Sequence, residues 1–334
     1  MNKSAIIAVT QGDLKYIDEW IQYHHNLGFD FILIGFNGNS ETFNQMPKYD
    51  YVRYIDFSYD INNPLYKQFY RKNKGFSSIE YFKPTQNLNF MCRCFNLLLD
   101  YIKLFYYDVQ YVACIDIDEF IILPERDNIN VFLKKNFDDK FSSMQIFEKV
   151  MNDNGHIYYE DKPVMERFTE FSRNKQISIW RSKFYNYKSI INMFHYDIQA
   201  NMKIISSPHN LSLAKEKIFN QNMCYIKHFY TKSLEEYISK YSSKFDNDYY
   251  RRFGNQMLYT YFYFNEYNDE KLLIWDELCK KYEVNFSIYD QIKPHPYFLY
   301  ITRYCELHND TVDYQKLVQN YNERYKYVAD SWLT

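Results

Sequence analysis

Residues Ser4 to Thr10 (SAIIAVT) form a short, almost unbroken apolar run, the pattern of a strand buried on both faces. From Asp13 the period changes. Ile17, Trp20, Ile21, His24 and Leu27 recur at spacings of three and four, which predicts a helix with one apolar face. Gly28 supplies its C-terminal stop. Phe29 to Phe36 (FDFILIGF) reads as a second strand, followed by the turn residues Asn37-Gly38-Asn39-Ser40, and Tyr51 to Phe57 reads as a third. A strand, a helix and a strand in tandem predict an α/β fold built on a mostly parallel sheet with right-handed crossovers. A long helix is expected from Gln86 to Phe105, with Leu97, Leu98, Tyr101, Ile102 and Phe105 on its apolar side. Tyr111 to Ile115 (YVACI) is then a buried strand. Beyond residue 140 the strands are less regular, and Ile218 to Lys244 and Asn255 to Tyr282 read as helical. The expected organisation is a main domain over residues 1–245, with a helical C-terminal extension over 246–334 packed on it.

Composition changes this picture little. The chain has 37 Tyr, 28 Phe and only 7 Gly, but the aromatics come with abundant Asn, Lys and Ile, so codon bias explains them without a carbohydrate surface. Net charge is -2, with no basic face, which argues against nucleic acid as a partner. The basic stretch Asn63 to Lys74 reads as a solvated loop or as a contact for an anionic acceptor or membrane surface. Six cysteines include no CxxC pair and no zinc spacing. The apolar run after Met1-Asn2-Lys3 is too short for a signal peptide, and no stretch approaches the roughly 18 apolar residues of a membrane span. The expectation is a cytoplasmic protein with reduced thiols, in peripheral contact with the inner face of the membrane.

The chemistry concentrates where the YVACI strand runs into Asp116-Ile117-Asp118-Glu119-Phe120. Open α/β sheets bind ligands at the carboxyl ends of their strands. Two aspartates one residue apart in extended backbone point the same way, so Asp116 and Asp118 can converge on one hard cation, Mn²⁺ or Mg²⁺. Without a cation, carboxylates that close repel each other. No GxGxxG or GxxxxGK[ST] occurs, which argues against dinucleotide oxidoreductases and P-loop enzymes.

Several blocks carry a family resemblance. The segment Tyr16 to Gly28 (YIDEWIQYHHNLG) resembles the "L-x-EW-x-x-yH-x-x-lG" opening of family 2-like bacterial glycosyltransferases and of family 92 glycosyltransferases. Ile115 to Phe120 is similar to their "DxDEF" block, Pro163 to Phe168 to "ERF", Lys188 to Ile191 to "KsIi", and Ile226 to Tyr237 to "nHY-x-tKS-x-eEf". Five blocks in order span about residues 4 to 245. The chain has Gln11-Gly12-Asp13 where the family carries an acidic "NE", Asn37 where it carries an aspartate, and His228-Phe229 for "HY".

The resemblance implies a GT-A fold and a metal-dependent enzyme with a nucleoside-diphosphate sugar as donor, UDP-sugar favoured. It further implies transfer with inversion to a glycan or glycolipid acceptor in bacterial surface polysaccharide synthesis. By the same resemblance Asp116 would face the ribose and the metal, Asp118 would be the direct metal ligand, and Glu119 would anchor the turn. Asn37, Arg167 and Lys188 join the donor-binding candidates, and His228 and His209 are candidate metal ligands. An inverting transfer needs a general base. Glu166 is the first candidate and Asp153 a second, with an ion pair to Arg167 the plainer role for Glu166. His24 reads as a core histidine, and Ser233 with Glu236 as a helix capping box. Two other classes stay open: a catalytically silent GT-A-like glycan-binding protein, and a metal-dependent phosphoryl or nucleotidyl transfer enzyme.

Overall fold

The computed structural model of the chain describes residues 3–11, 13–57, 87–123, 128–172, 187–196, 205–207, 210–211, 216–218, 223–241, 257–284, 303 and 305–308. The basic stretch Asn63 to Lys74 and the candidate ligand His209 lie outside the described residues. The chain divides into two compact units, Met1–Val150 with Lys175–Phe229, and Met151–Asn174 with Tyr230–Thr334.

The first unit is α/β, with the mostly parallel sheet expected from the tandem pattern. Strand β1 (Lys3–Thr10) is followed by helix α1 (Ile17–Asn26), β2 (Phe31–Phe36), the short α2 (Ser40–Asn44) and β3 (Val52–Asp56). Helix α3 (Asn87–Phe105) leads to β4 (Val109–Cys114), β5 (Glu119–Ile122), α4 (Ile129–Asn136) and β6 (Ser143–Val150). Then come β7 (Tyr187–Asn192), the short β8 (Ile205–Ser207), β9 (Asn210–Leu211) and β10 (Glu216–Ile218), and β11 (Tyr225–His228). Among the described residues the main sheet runs β3-β2-β1-β4-β7-β6-β11-β5, with β10 beside β6. Its first four strands are parallel, so their carboxyl ends share one edge. Strand β7 is antiparallel to both β4 and β6. Strand β11 runs parallel to β6 and antiparallel to β5.

Burial explains these elements. Strands β2 and β4 are buried at every position, as unbroken apolar runs predict for strands covered on both faces. Helix α3 places Phe95, Leu98, Leu99 and Ile102 against Ala5 and Ile7 of β1 and Leu33 of β2 in one core. Helix α1 begins at Ile17, four residues beyond Asp13, whose carbonyl accepts the Tyr16 and Ile17 amides. It ends at Gly28 with φ 106°, where a Cβ would meet the Asn128 side chain at 2.0 Å. Glycine is required there twice over, by the left-handed backbone and by the lack of space.

The second unit combines helices with an irregular stretch at 151–163 and an isolated bridge between Met151 and Phe171. It holds α5 (Val164–Arg167), α6 (Leu234–Ser239), α7 (Met257–Phe264) and α8 (Asp269–Lys281). Tyr237, Tyr261, Phe262 and Trp275 form its core. Ser233 caps α6, and Glu236 reaches back to complete the capping box. The segment Ile218 to Lys244, expected to be increasingly helical, contains β11 ahead of α6. Ile226 and His228 turn inward while Tyr225 and Lys227 stay half-buried, a two-residue alternation too short to stand out against the helix that follows. Among the described residues no helix is long and apolar enough to cross a membrane.

Candidate functional site

The acidic cluster lies at the carboxyl edge of the sheet. Strand β4 ends at Cys114, Ile115 still bonds to the carbonyl of Ile7 on β1, and the chain then turns. Asp116 and Asp118 occupy this turn rather than extended backbone. The Glu119 amide donates to the Asp116 carbonyl at 3.1 Å, and the Glu119 carboxylate accepts the Asp116 amide at 2.9 Å. Two bonds between the same residues close the turn tightly. Ile117 is buried between the aspartates, and both aspartate side chains stay about a quarter exposed, at 26% and 23%.

Helix α1 holds the strand that follows. The buried Trp20 indole donates to the Glu119 carbonyl at 2.8 Å. The Tyr23 hydroxyl donates to the Ile121 carbonyl at 2.8 Å, and His24 Nε2 accepts the Ile121 amide at 3.3 Å. The block Trp20-Tyr23-His24 therefore grips β5 by its backbone, and so fixes where the acidic turn ends. His24 is the core histidine expected; Trp20 does more than pack.

Glu119 is fully buried and points inward, away from any donor in solvent. Lys188 on β7 is also buried, and its ammonium lies 2.5 Å from Asp116 Oδ2 and 2.9 Å from Glu119 Oε1. Across the sheet, His228 on β11 pairs in register with Glu119 on β5. Its Nε2 stands 3.6 Å from Asp118 Oδ1, and its Nδ1 lies 2.5 Å from Glu148 Oε1 on β6. Asp116, Asp118, Glu119, Lys188 and His228, all singled out by the sequence, therefore meet. Glu148 was missed. Its only signal was a carboxylate directly after the apolar pair Ile146-Phe147, in a strand that also carries Gln145 and Lys149.

Electrostatics follow from this packing. Burial, with Asp116 and Glu148 nearby, pushes the Glu119 carboxyl up to about 8 despite Lys188 and His228. Burial works against charge on Lys188, but Asp116, Glu119 and Glu148 outweigh it and hold the ammonium above its ordinary pKa. Burial likewise opposes the His228 imidazolium, yet Glu148 and Asp118 raise its pKa to about 9. Even with Glu119 neutral, the carboxylates of Asp116, Asp118 and Glu148 face one ammonium and one imidazole, leaving a negative excess when the imidazole is protonated. Carboxylate oxygens with one imidazole nitrogen are the donor set that suits Mn²⁺ or Mg²⁺. Glu119, Glu148 and His228 also bring donor atoms within 4.8 Å of one another. Asn37 sits farther along the same edge, past the end of β2, with its amide bonded to Thr10 and its side-chain oxygen buried without a hydrogen-bond partner among the described residues.

The remaining candidates belong to the second unit. Arg167 is buried and spends both arms of its guanidinium on Glu236, at 2.7 and 3.0 Å. Asp153 is buried too, and its carboxylate accepts from Lys271, from the Tyr261 hydroxyl and, at 2.9 Å, from the Gly155 amide. Glu166 is exposed, and its amide donates to the Pro163 carbonyl at 3.1 Å.

No family model matches the sequence, and no curated protein sequence matches it either. Among solved structures the chain is similar to the apo form of mouse xyloside xylosyltransferase 1, at 8% identity over 64% of this chain and 78% of that one, with a TM-score of 0.26. A likeness this slight does not fix a family.

Proposed function

We propose that this chain is a glycosyltransferase of the GT-A type, related to the family 2-like and family 92 enzymes, that moves a sugar from a nucleoside diphosphate to a hydroxyl of a glycan or glycolipid. The observation that carries the reading is the acidic turn at the carboxyl edge of β4. Asp116 and Asp118 are partly exposed there, inside a buried carboxylate network with excess negative charge. That edge is where open α/β sheets take nucleotides. The negative excess calls for a cation, and a diphosphate in its place would add repulsion unless one accompanied it.

Asp118 and His228 are the residues that would hold Mn²⁺ or Mg²⁺, with Asp116 beside them. The bound ion would stabilise the charge that develops on a departing nucleoside diphosphate. The protein's own contribution is orientation. Glu119 closes the turn, Lys188 neutralises the side of Asp116 turned inward, and Trp20 holds the backbone at Glu119. Asn37, with a buried amide oxygen at the same edge, is suited to meet an N–H of the donor's base. Lys188 acts on the donor through Asp116 in this reading, and Arg167 acts on stability through Glu236. Of the two carboxylates expected as general base, Glu166 is the better candidate, because Asp153 is already engaged by Lys271 and Tyr261. The acceptor in this reading is a growing surface polysaccharide at the inner face of a bacterial membrane.

Thermal unfolding with UDP, GDP or CDP, each with and without Mn²⁺, tests the reading. A ligand at about 100 times its Kd adds roughly 2.7 kcal/mol of stability, so one nucleotide should raise the Tm only when metal is present. Asp118→Ala should abolish that increment while leaving the unliganded Tm near the wild-type value. No metal-dependent increment with any nucleotide would refute the assignment.

A further inference from the structure

We propose that Glu148 is a positioning residue for the cation site, holding the Nδ1–H of His228 so that Nε2 is presented to Asp118. This rests on the reading above, in which Asp118 and His228 share the ion. Strand register places the two groups. β6 and β11 pair Glu148 with Ile226 and Val150 with His228, so the carboxylate and the imidazole are diagonal neighbours on one face of the sheet. The carboxylate is buried beside the ring, 2.5 Å from Nδ1. At the far side of the same ring, Nε2 stands 3.6 Å from Asp118 Oδ1. That separation is beyond an ordinary hydrogen bond. It is close to the spacing of two atoms bound to one ion, since ligands about 2.1 Å from a metal lie roughly 3.0 to 3.5 Å apart.

The same geometry argues against Glu148 as a ligand in its own right. An ion held among Glu148, Glu119 and His228 Nδ1 would sit next to the Lys188 ammonium, which already lies 2.9 Å from Glu119 Oε1. Two cations sharing that carboxylate would repel each other in a buried site. A histidine ligand fixed through its other ring nitrogen by a carboxylate is the ordinary arrangement around bound metals, and loss of the carboxylate typically weakens metal binding about 10- to 100-fold.

The test is Mn²⁺ binding, with and without UDP, followed by electron paramagnetic resonance, with pulsed detection of a nitrogen coupled to the bound ion. Wild-type protein should bind Mn²⁺ and show the coupling. Glu148→Gln, whose amide oxygen can still accept from Nδ1, should raise the Mn²⁺ Kd by about 10- to 100-fold and keep the coupling. Glu148→Ala should lose the coupling. An unchanged Kd in Glu148→Gln would overturn the inference, as would complete loss of binding, which would make Glu148 a ligand. Glu148→Gln decides alone if Glu148→Ala does not fold. Wild-type protein that binds no Mn²⁺, or binds it without nitrogen, would instead bring down the shared-ion reading and this inference with it.

Discussion

His24 is uncharged in the folded chain, and its surroundings explain why acid should destabilise this protein. It is fully buried among the rings of Trp20, Tyr23, Phe29 and Phe120, with no carboxylate against it among the described residues. Nδ1 lies 2.9 Å from the Trp20 carbonyl and Nε2 accepts the Ile121 amide, so the neutral Nδ1–H tautomer satisfies both ends of the ring. Burial outweighs the Trp20 contact and drops its pKa to about 3, against 6.5 for an exposed histidine. Because the folded pKa is depressed, the unfolded chain binds the proton and the folded chain does not, between about pH 6.5 and pH 3. Stability is therefore lost as pH falls through that window, by about 2 kcal/mol between roughly pH 7 and pH 5 from this group alone. Urea unfolding of wild-type protein and of His24→Gln at both pH values measures it. The mutant should be less stable near pH 7, by about 1 to 3 kcal/mol for the disturbed hydrogen bonds, and should show a pH dependence shallower by about 2 kcal/mol. Other groups contribute equally to both proteins and cancel in the difference. Identical pH slopes in the two proteins would refute a buried neutral His24.

Two more outcomes follow from the contacts. Arg167→Met leaves the buried Glu236 carboxylate without the guanidinium that neutralises it, which should cost roughly 3 to 5 kcal/mol in urea unfolding. A stable variant with a raised donor KM instead would make Arg167 a donor ligand. Trp20→Phe removes the bond to the Glu119 carbonyl from a fully buried site, at about 1 to 3 kcal/mol, and should weaken Mn²⁺–nucleotide binding through the turn it supports. A variant that loses stability but keeps full nucleotide affinity would show that the contact serves packing alone.

Much of the first unit was legible in local pattern. A buried strand announces itself by an unbroken apolar run and an amphipathic helix by its spacing, so β1, β2, β4, α1 and α3 were readable within a few residues. Asp116 and Asp118 at the end of β4 followed from the same run, and the Ser233–Glu236 box from a four-residue signature. These are short-range features, decided by which neighbours a residue has along the chain. The network around the acidic turn is different in kind. Lys188 read only as a donor-binding candidate, and it was the pairing of β7 with β4 that carried it to Asp116 and Glu119. Glu148 could be matched to His228 only once β6 and β11 lay side by side. Arg167 and Glu166 are adjacent in sequence, yet one is sealed against Glu236 and the other is exposed, because a helix turns consecutive side chains to different faces. Strand register and burial are long-range, so the partner of a buried charge is chosen by tertiary packing. Periodicity can mark where a charge breaks an apolar run, but not which distant strand will neutralise it.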